Sequence, residues 1–363
     1  MKKVFRGALC ACLAGLVLAS CEPVDQGGSG GQNVADVESN PVYMMEVNPA
    51  NGEFYVGLAG SKYVYSGKVY RYGIDGLLID DFDVLCNPSR AAFLGNVKDS
   101  VKDTPDVFIL CEGLWQQNNA EVSAYNSHSM QCIDDYYYRQ NDQYLGDTGQ
   151  DILWYNGYLY VSVSGSSYVA KLDSEGREVA RCAISATEGQ PRYLAAEGDY
   201  LYVTLYSGRV AKMKTSDLSV VDYAPVGKNP EDVVVYKDML LVANSGWGYD
   251  NTVTIIDVAT FDSIGSITVE WNPQQLVVAG DSVYLLANGQ YDDNWNCDYP
   301  VQSIRVEERT ARTIAHATHA TAYSGKLYMC NSVVDYTTGK TVNSFFTYDV
   351  ETAILDNTNF LDE

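Results

Sequence analysis

Histidine is nearly missing from this chain: His128, His316 and His319 are the three in 363 residues. That leaves little material for a histidine-based triad, a proton relay or an imidazole-built zinc site. CxxC pairs are absent, so a thiolate zinc site is not expected. No GxSxG elbow follows a strand, no P-loop occurs, and no GxGxxG follows a strand. Nothing therefore marks a nucleophile with its base or a nucleotide cradle, although two glycosidase carboxylates would leave no motif. Cations are outnumbered, 24 Lys and Arg against 47 Asp and Glu, for a net charge of −23. That sign argues against nucleic acid and against docking flat on anionic lipid, and it suits a basic partner or a cationic ligand. No segment carries a convincing helical period. Phe is sparse at 9, but Tyr is abundant at 29, a residue favoured in strands and at binding surfaces.

The one strongly apolar run lies at the start. "MKKVFRGALCACLAGLVLASC" begins with Lys2, Lys3 and Arg6 and continues apolar for too short a distance to span a bilayer, which reads as a secretory signal over 1–20. It closes in Leu18-Ala19-Ser20-Cys21, a sequence similar to a bacterial lipobox. Cleavage before Cys21 would leave its thiol to be lipidated, anchoring the protein to the outer membrane. Residues 21–39, polar and rich in Gly and Ser, read as a flexible tether. Six Cys remain beyond Cys21: 86, 111, 132, 182, 297 and 330. An even number permits disulfides, but Cys111 and Cys330 align with Ala243 and Ala287 of sister repeats, so buried free thiols are the expectation.

Internal repetition governs the rest, residues 40–363. Units start at Asn40, Asn87, Gly149, Gln190, Asn229, Asn272 and His316. Each contains a corner, an alternating strand, a tight turn, a second strand, a variable loop and two more strands. Seven units of roughly 40–45 residues with four strands each are the signature of an all-β, seven-bladed β-propeller. First and last units both hold four strands, so the ring is expected to close by blade packing without a shared blade. Alternation in "DYLYVTL" reads as half-buried strand.

In an antiparallel blade the loop between the second and third strands shares a face with the corner between blades. The corners Asn40-Pro41, Asn87-Pro88, Gln190-Pro191, Asn229-Pro230 and Asn272-Pro273 read as caps. Three residues after each corner stand Tyr43, Arg90, Asp151, Tyr193, Asp232, Gln275 and His319. This ring is expected at the channel mouth. It is either a ligand site or the polar lining that any wet channel has; Arg90, Asp151, Asp232 and His319 are also what an enzyme reading would rest on. The loops of units one, two, five and six are long and carry Tyr65, Trp115, Gln116, Trp247, Tyr249, Tyr291 and Trp295. Aromatics beside amides suit a flat ligand with polar edges, a protein interface, or bracing between blades. "HATH" (316–319) is a poor metal pair on a strand, and "YDDNWNCDYP" lacks EF-hand spacing.

"NPEDVVV", "LLVANSGWGYDNTVTIIDVAT" and "NPQQLVVAGDSVYLLANG" together resemble YncE-like seven-bladed propellers, over most of residues 40–361. With the lipobox, tether, acidity and Tyr content, the chain looks like surface lipoproteins of gut Bacteroidota, among them the BtuG type. That resemblance implies a non-catalytic protein that captures cobalamin and passes it to a TonB-dependent transporter of the BtuB type, with no cofactor of its own. The alternative is an interaction scaffold on the cell surface.

Overall fold

A computed structural model describes residues 40–95, 104–290, 297–335 and 340–361; the signal, Cys21 and the tether lie outside them. Seven four-stranded antiparallel sheets follow one another along the chain, over 42–86, 88–133, 149–183, 191–225, 230–268, 273–316 and 319–356. Strand order within each sheet is sequential, from the inner strand at the channel to the outer strand at the rim. The protein is a seven-bladed β-propeller, and each blade is a contiguous piece of chain.

The apolar pattern follows from what a blade must bury. Each seam between neighbouring blades holds its own hydrophobic cluster, seven in all. A middle strand faces a seam on both sides, so the second strand Tyr200–Leu205 is buried at every residue but the first, and Phe54–Leu58 throughout. This differs from the half-buried reading of "DYLYVTL". Its alternation is of large and small side chains in two cores, not of core and solvent. True alternation appears in an outer strand such as Glu178–Ala183.

Cations stitch the seams at the face opposite the long loops. Arg71 donates to the Ser127 carbonyl at 2.7 Å, Lys171 to the Thr215 carbonyl at 2.8 Å, and Lys212 to the Val258 carbonyl at 3.4 Å, each reaching into the next blade. Lys171 also sits 3.7 Å from the centre of the Tyr158 ring. Burying these cations is tolerable because carbonyls and ring faces, and for Arg71 the Glu53 carboxylate at 2.8 Å, replace water.

Among the described residues one α-helix departs from the all-strand expectation: Tyr136–Asn141, between blades two and three. Its sequence, "YYYRQN", has strand-like composition, and Asp135 makes no side-chain cap. Tertiary burial wins over propensity here: Tyr136 and Tyr137 enter the core of the seam, and the Tyr137 hydroxyl donates to Glu178 at 2.6 Å. The six cysteines after residue 40 are free thiols, with Cys111 and Cys330 fully buried as their Ala counterparts are.

The ring closes by packing of blade seven on blade one. Phe54 of blade one lies 4.6 Å from Tyr328 and 5.3 Å from Phe360, and Phe345 lies 5.9 Å from Phe360. The Val42 amide donates to Ser332 Oγ at 3.0 Å. Phe360 thus fills a seam that no covalent or ladder connection closes. Phe360→Ala should lower unfolding stability by about 1–3 kcal/mol, since the ring is partly buried, whereas Ile354→Ala on the exposed outer strand should change it little; urea titration of both variants is the check.

Candidate functional site at the channel mouth

The inner strands position the site through a repeated irregularity. In blades one, two, four, five and six the pairing of the inner with the second strand slips just after the start, between Val42 and Met44, Pro88 and Arg90, Pro191 and Leu194, Pro230 and Val233, and Pro273 and Gln275. Blade three slips at the same place, opposite Ser162 and Val163. Such a bulge lets two successive residues face one side. The corner before it is set by left-handed residues, φ 59° at Asn87, 43° at Asn229 and 60° at Asn272, a conformation Asn tolerates better than most. Corner carbonyls accept the first amide of the adjacent loop, Asn87 from Glu112 at 2.9 Å and Asn272 from Asn288 at 3.0 Å. Corners and loops therefore share one face, as the topology requires.

The bulge produces two polar layers. The deeper one centres on Arg90. Its guanidinium donates to Glu46 at 2.9 Å, stands 3.7 Å from Asp151, and lies 5.1 Å from the centre of the Tyr193 ring. Burial works against the Arg90 charge, but Glu46 and Asp151 hold its pKa well above the ordinary value. Burial pushes the Glu46 and Asp151 carboxyls up against the opposing pull of Arg90, and pushes Asp232 up to about 7. The same two Asp residues tie blades together. Asp151 accepts the Leu194 amide of the next blade and Asp232 accepts the Leu276 amide, each at 2.8 Å.

The outer layer was not foreseen in the sequence. Arg192 donates to Glu231 from Nε at 3.0 Å and from Nη2 at 2.7 Å, and from Nη1 to Gln150. Its guanidinium lies 4.5 Å from the centre of the Tyr206 ring. Glu231 also accepts the Tyr206 hydroxyl at 2.9 Å and Ser245 Oγ at 3.2 Å. The signal was present: "GQD", "PRY", "PED" and "PQQ" place two polar residues in succession on a strand with no solvent face. Strict alternation assigns only one of them to the channel.

The expected ring is therefore brought together in part. Arg90, Asp151, Tyr193 and Asp232 converge. His319 joins them, neutral at physiological pH because burial lowers its pKa to about 4, with Nδ1 2.9 Å from Thr318 Oγ1. His316 instead meets the Asp298 carbonyl at 2.7 Å, so the two imidazoles of "HATH" have separate partners. Gln275 donates to the Ala320 carbonyl at 3.0 Å, a tie between blades six and seven. Tyr43 turns to the rim, where its hydroxyl donates to Glu112.

Above these layers the loop aromatics stand in solvent: Tyr65 is 50 %, Trp115 58 %, Trp247 62 % and Tyr249 84 % exposed. Trp247 meets Tyr206 edge to face at 5.8 Å, which joins it to Arg192. Gln116 is exposed and its amide donates to Asp147 at 2.9 Å. Tyr291 and Trp295 lie outside the described residues. A separate groove of about 470 Å³ runs between the outer parts of blades six and seven, lined by Thr313, His316, Asn331, Phe346 and Leu355 among others. It exists because the third strand of blade seven, Lys340–Asp349, is ten residues long while its outer neighbour, Ile354–Asp356, covers three.

No family model matches the sequence, and no curated protein matches it either. Among solved structures the chain is similar to the computationally designed Ika8 protein, at TM-score 0.53 and 10 % identity over 87 % of this chain and 86 % of that one. Hydrazine synthase of Kuenenia stuttgartiensis aligns at TM-score 0.48 and 15 % identity, over 56 % of this chain and 64 % of that chain. The likeness is one of fold alone.

Because burial raises Glu46, Glu112, Asp151 and Asp232, the folded protein holds protons that the unfolded chain releases. Stability contributed by these groups is greatest below the unfolded carboxylate range, about 4, and falls as pH rises toward 7, where Asp232 titrates. The denaturation midpoint should be higher at about pH 5 than at about pH 8, and Asp232→Asn should shrink that difference. Melting curves of both proteins across the range are the check.

Proposed function

We propose that the loop-bearing face captures a flat, amide-rimmed small molecule and does so without chemistry. The observation that carries this reading is the set of exposed aromatics, Tyr65, Trp115, Trp247 and Tyr249, above a polar channel mouth. Large aromatic surface is costly to leave in water and marks a binding face when it clusters on one side of a molecule. The acidic groups below are bonded inward, to Arg90, Arg192 and backbone amides, an arrangement that suits a rigid floor better than a proton-transfer centre.

The best named ligand is cobalamin or another corrinoid, supported by the resemblance of "ANSGWGYDNTVTIIDV" and its sister repeats to YncE-like propellers of the BtuG type. A corrin ring would lie against Trp and Tyr, and its amide arms would reach the polar mouth. In this reading the protein is a lipoprotein anchored at Cys21 in the outer membrane, displayed outward, and it passes its ligand to a TonB-dependent transporter of the BtuB type. Calorimetry with cyanocobalamin tests the ligand. Saturable heat is expected, with Trp247→Ala weakening binding by about tenfold, as loss of a central aromatic contact does. Absence of heat from protein shown to be folded would remove the corrinoid.

A further inference from the structure

Glu112 and Arg192 both belong to the channel mouth and differ in their partners. Glu112 opens the loop of blade two; its amide is held by the Asn87 carbonyl at 2.9 Å and its own carbonyl accepts the Gly149 amide at 3.1 Å. Its carboxylate accepts the Tyr43 hydroxyl through Oε2, the one hydrogen bond to this carboxylate among the described residues. Gln150, next to Gly149, is bonded to Arg192. This backbone connection sets Glu112 and Arg192 on neighbouring parts of one rim. Glu112 feels the Arg192 charge, yet no ion pair joins them. Of the five guanidinium N–H groups, Arg192 commits Nε, one on Nη2 and one on Nη1 to Glu231 and Gln150. Among the described residues, one N–H on each Nη has no acceptor. The Tyr206 ring and Glu231 hold the guanidinium plane still, and Trp247 continues the same surface outward.

We infer that Glu112 and Arg192 form a subsite for a primary carboxamide, with the amide carbonyl accepting from Arg192, the amide N–H donating to Glu112, and the attached flat body lying against Trp247. A carboxylate would satisfy Arg192 but face Glu112, and the mouth as a whole carries Glu46, Glu112, Asp151, Glu231 and Asp232 against Arg90 and Arg192. An ammonium would satisfy Glu112 but face Arg192. A neutral group that both donates and accepts satisfies the two together. This inference deepens the binding reading above and rests on the loop face being the binding face, though not on the ligand being a corrinoid.

The test compares nicotinamide, a flat ring bearing one primary carboxamide, with nicotinate, the same ring bearing a carboxylate, by saturation-transfer NMR on the full chain. Nicotinamide should bind, and nicotinate should bind about tenfold more weakly or worse. Glu112→Leu and Arg192→Lys should each weaken nicotinamide by about tenfold or more, the usual range for a hydrogen bond to a charged group. Arg192→Lys keeps a cation beside Glu231, so it tests the fork without stranding a buried carboxylate, and melting curves establish that both variants are folded. Equal binding of the two probes, no binding of nicotinamide, or unchanged nicotinamide binding in folded Glu112→Leu overturns the subsite. Cyanocobalamin is titrated in parallel. Heat from it without discrimination between the probes keeps the corrinoid reading and overturns the subsite. Discrimination without that heat supports the subsite and overturns the corrinoid.

Discussion

The Arg90 guanidinium is the constraint on which the mouth of this propeller depends. It is held by Glu46 of blade one and faces Asp151 of blade three, with Tyr193 of blade four alongside. Four blades thus meet on one cation. Within this node Asp151 in turn accepts the Leu194 backbone amide of the next blade. Buried charge of this kind contributes little net stability relative to an apolar core, but breaking it is expensive because the partners are left unpaired. The consequence for function is a floor: whatever the loops hold is held above a fixed, polar surface.

The fold was legible because repetition is hard to hide. Seven units and their Pro-bearing corners carry the blade count, the shared face and ring closure without a shared blade. What escaped notice has physical causes. The helix Tyr136–Asn141 has strand-like residues and is helical because two tyrosines are needed in the seam between blades two and three. The outer polar layer escaped because period-two reasoning gives each strand residue one face, and a bulge at the head of the strand cancels that rule for one step. Alternation therefore selects Tyr193 and Asp232 and leaves out their neighbours Arg192 and Glu231.

Several ring residues also have a structural duty that their position alone did not show. Asp151, Asp232 and Gln275 bind the backbone of the following blade, so their polarity is explained without any ligand. Glu112, Tyr206 and the exposed loop aromatics have weaker structural reasons to be what they are. Outward from the channel, deep polar groups tie the blades together, and Trp247 stands exposed at the rim.

The central claim is that the Arg90 node holds the mouth together. Denaturant unfolding of Arg90→Met measures it directly. The account predicts a loss of about 3–5 kcal/mol, because the half-buried Glu46 and the buried Asp151 would be left without their cation. A change of less than about 0.5 kcal/mol, the size of an ordinary surface substitution, would contradict it.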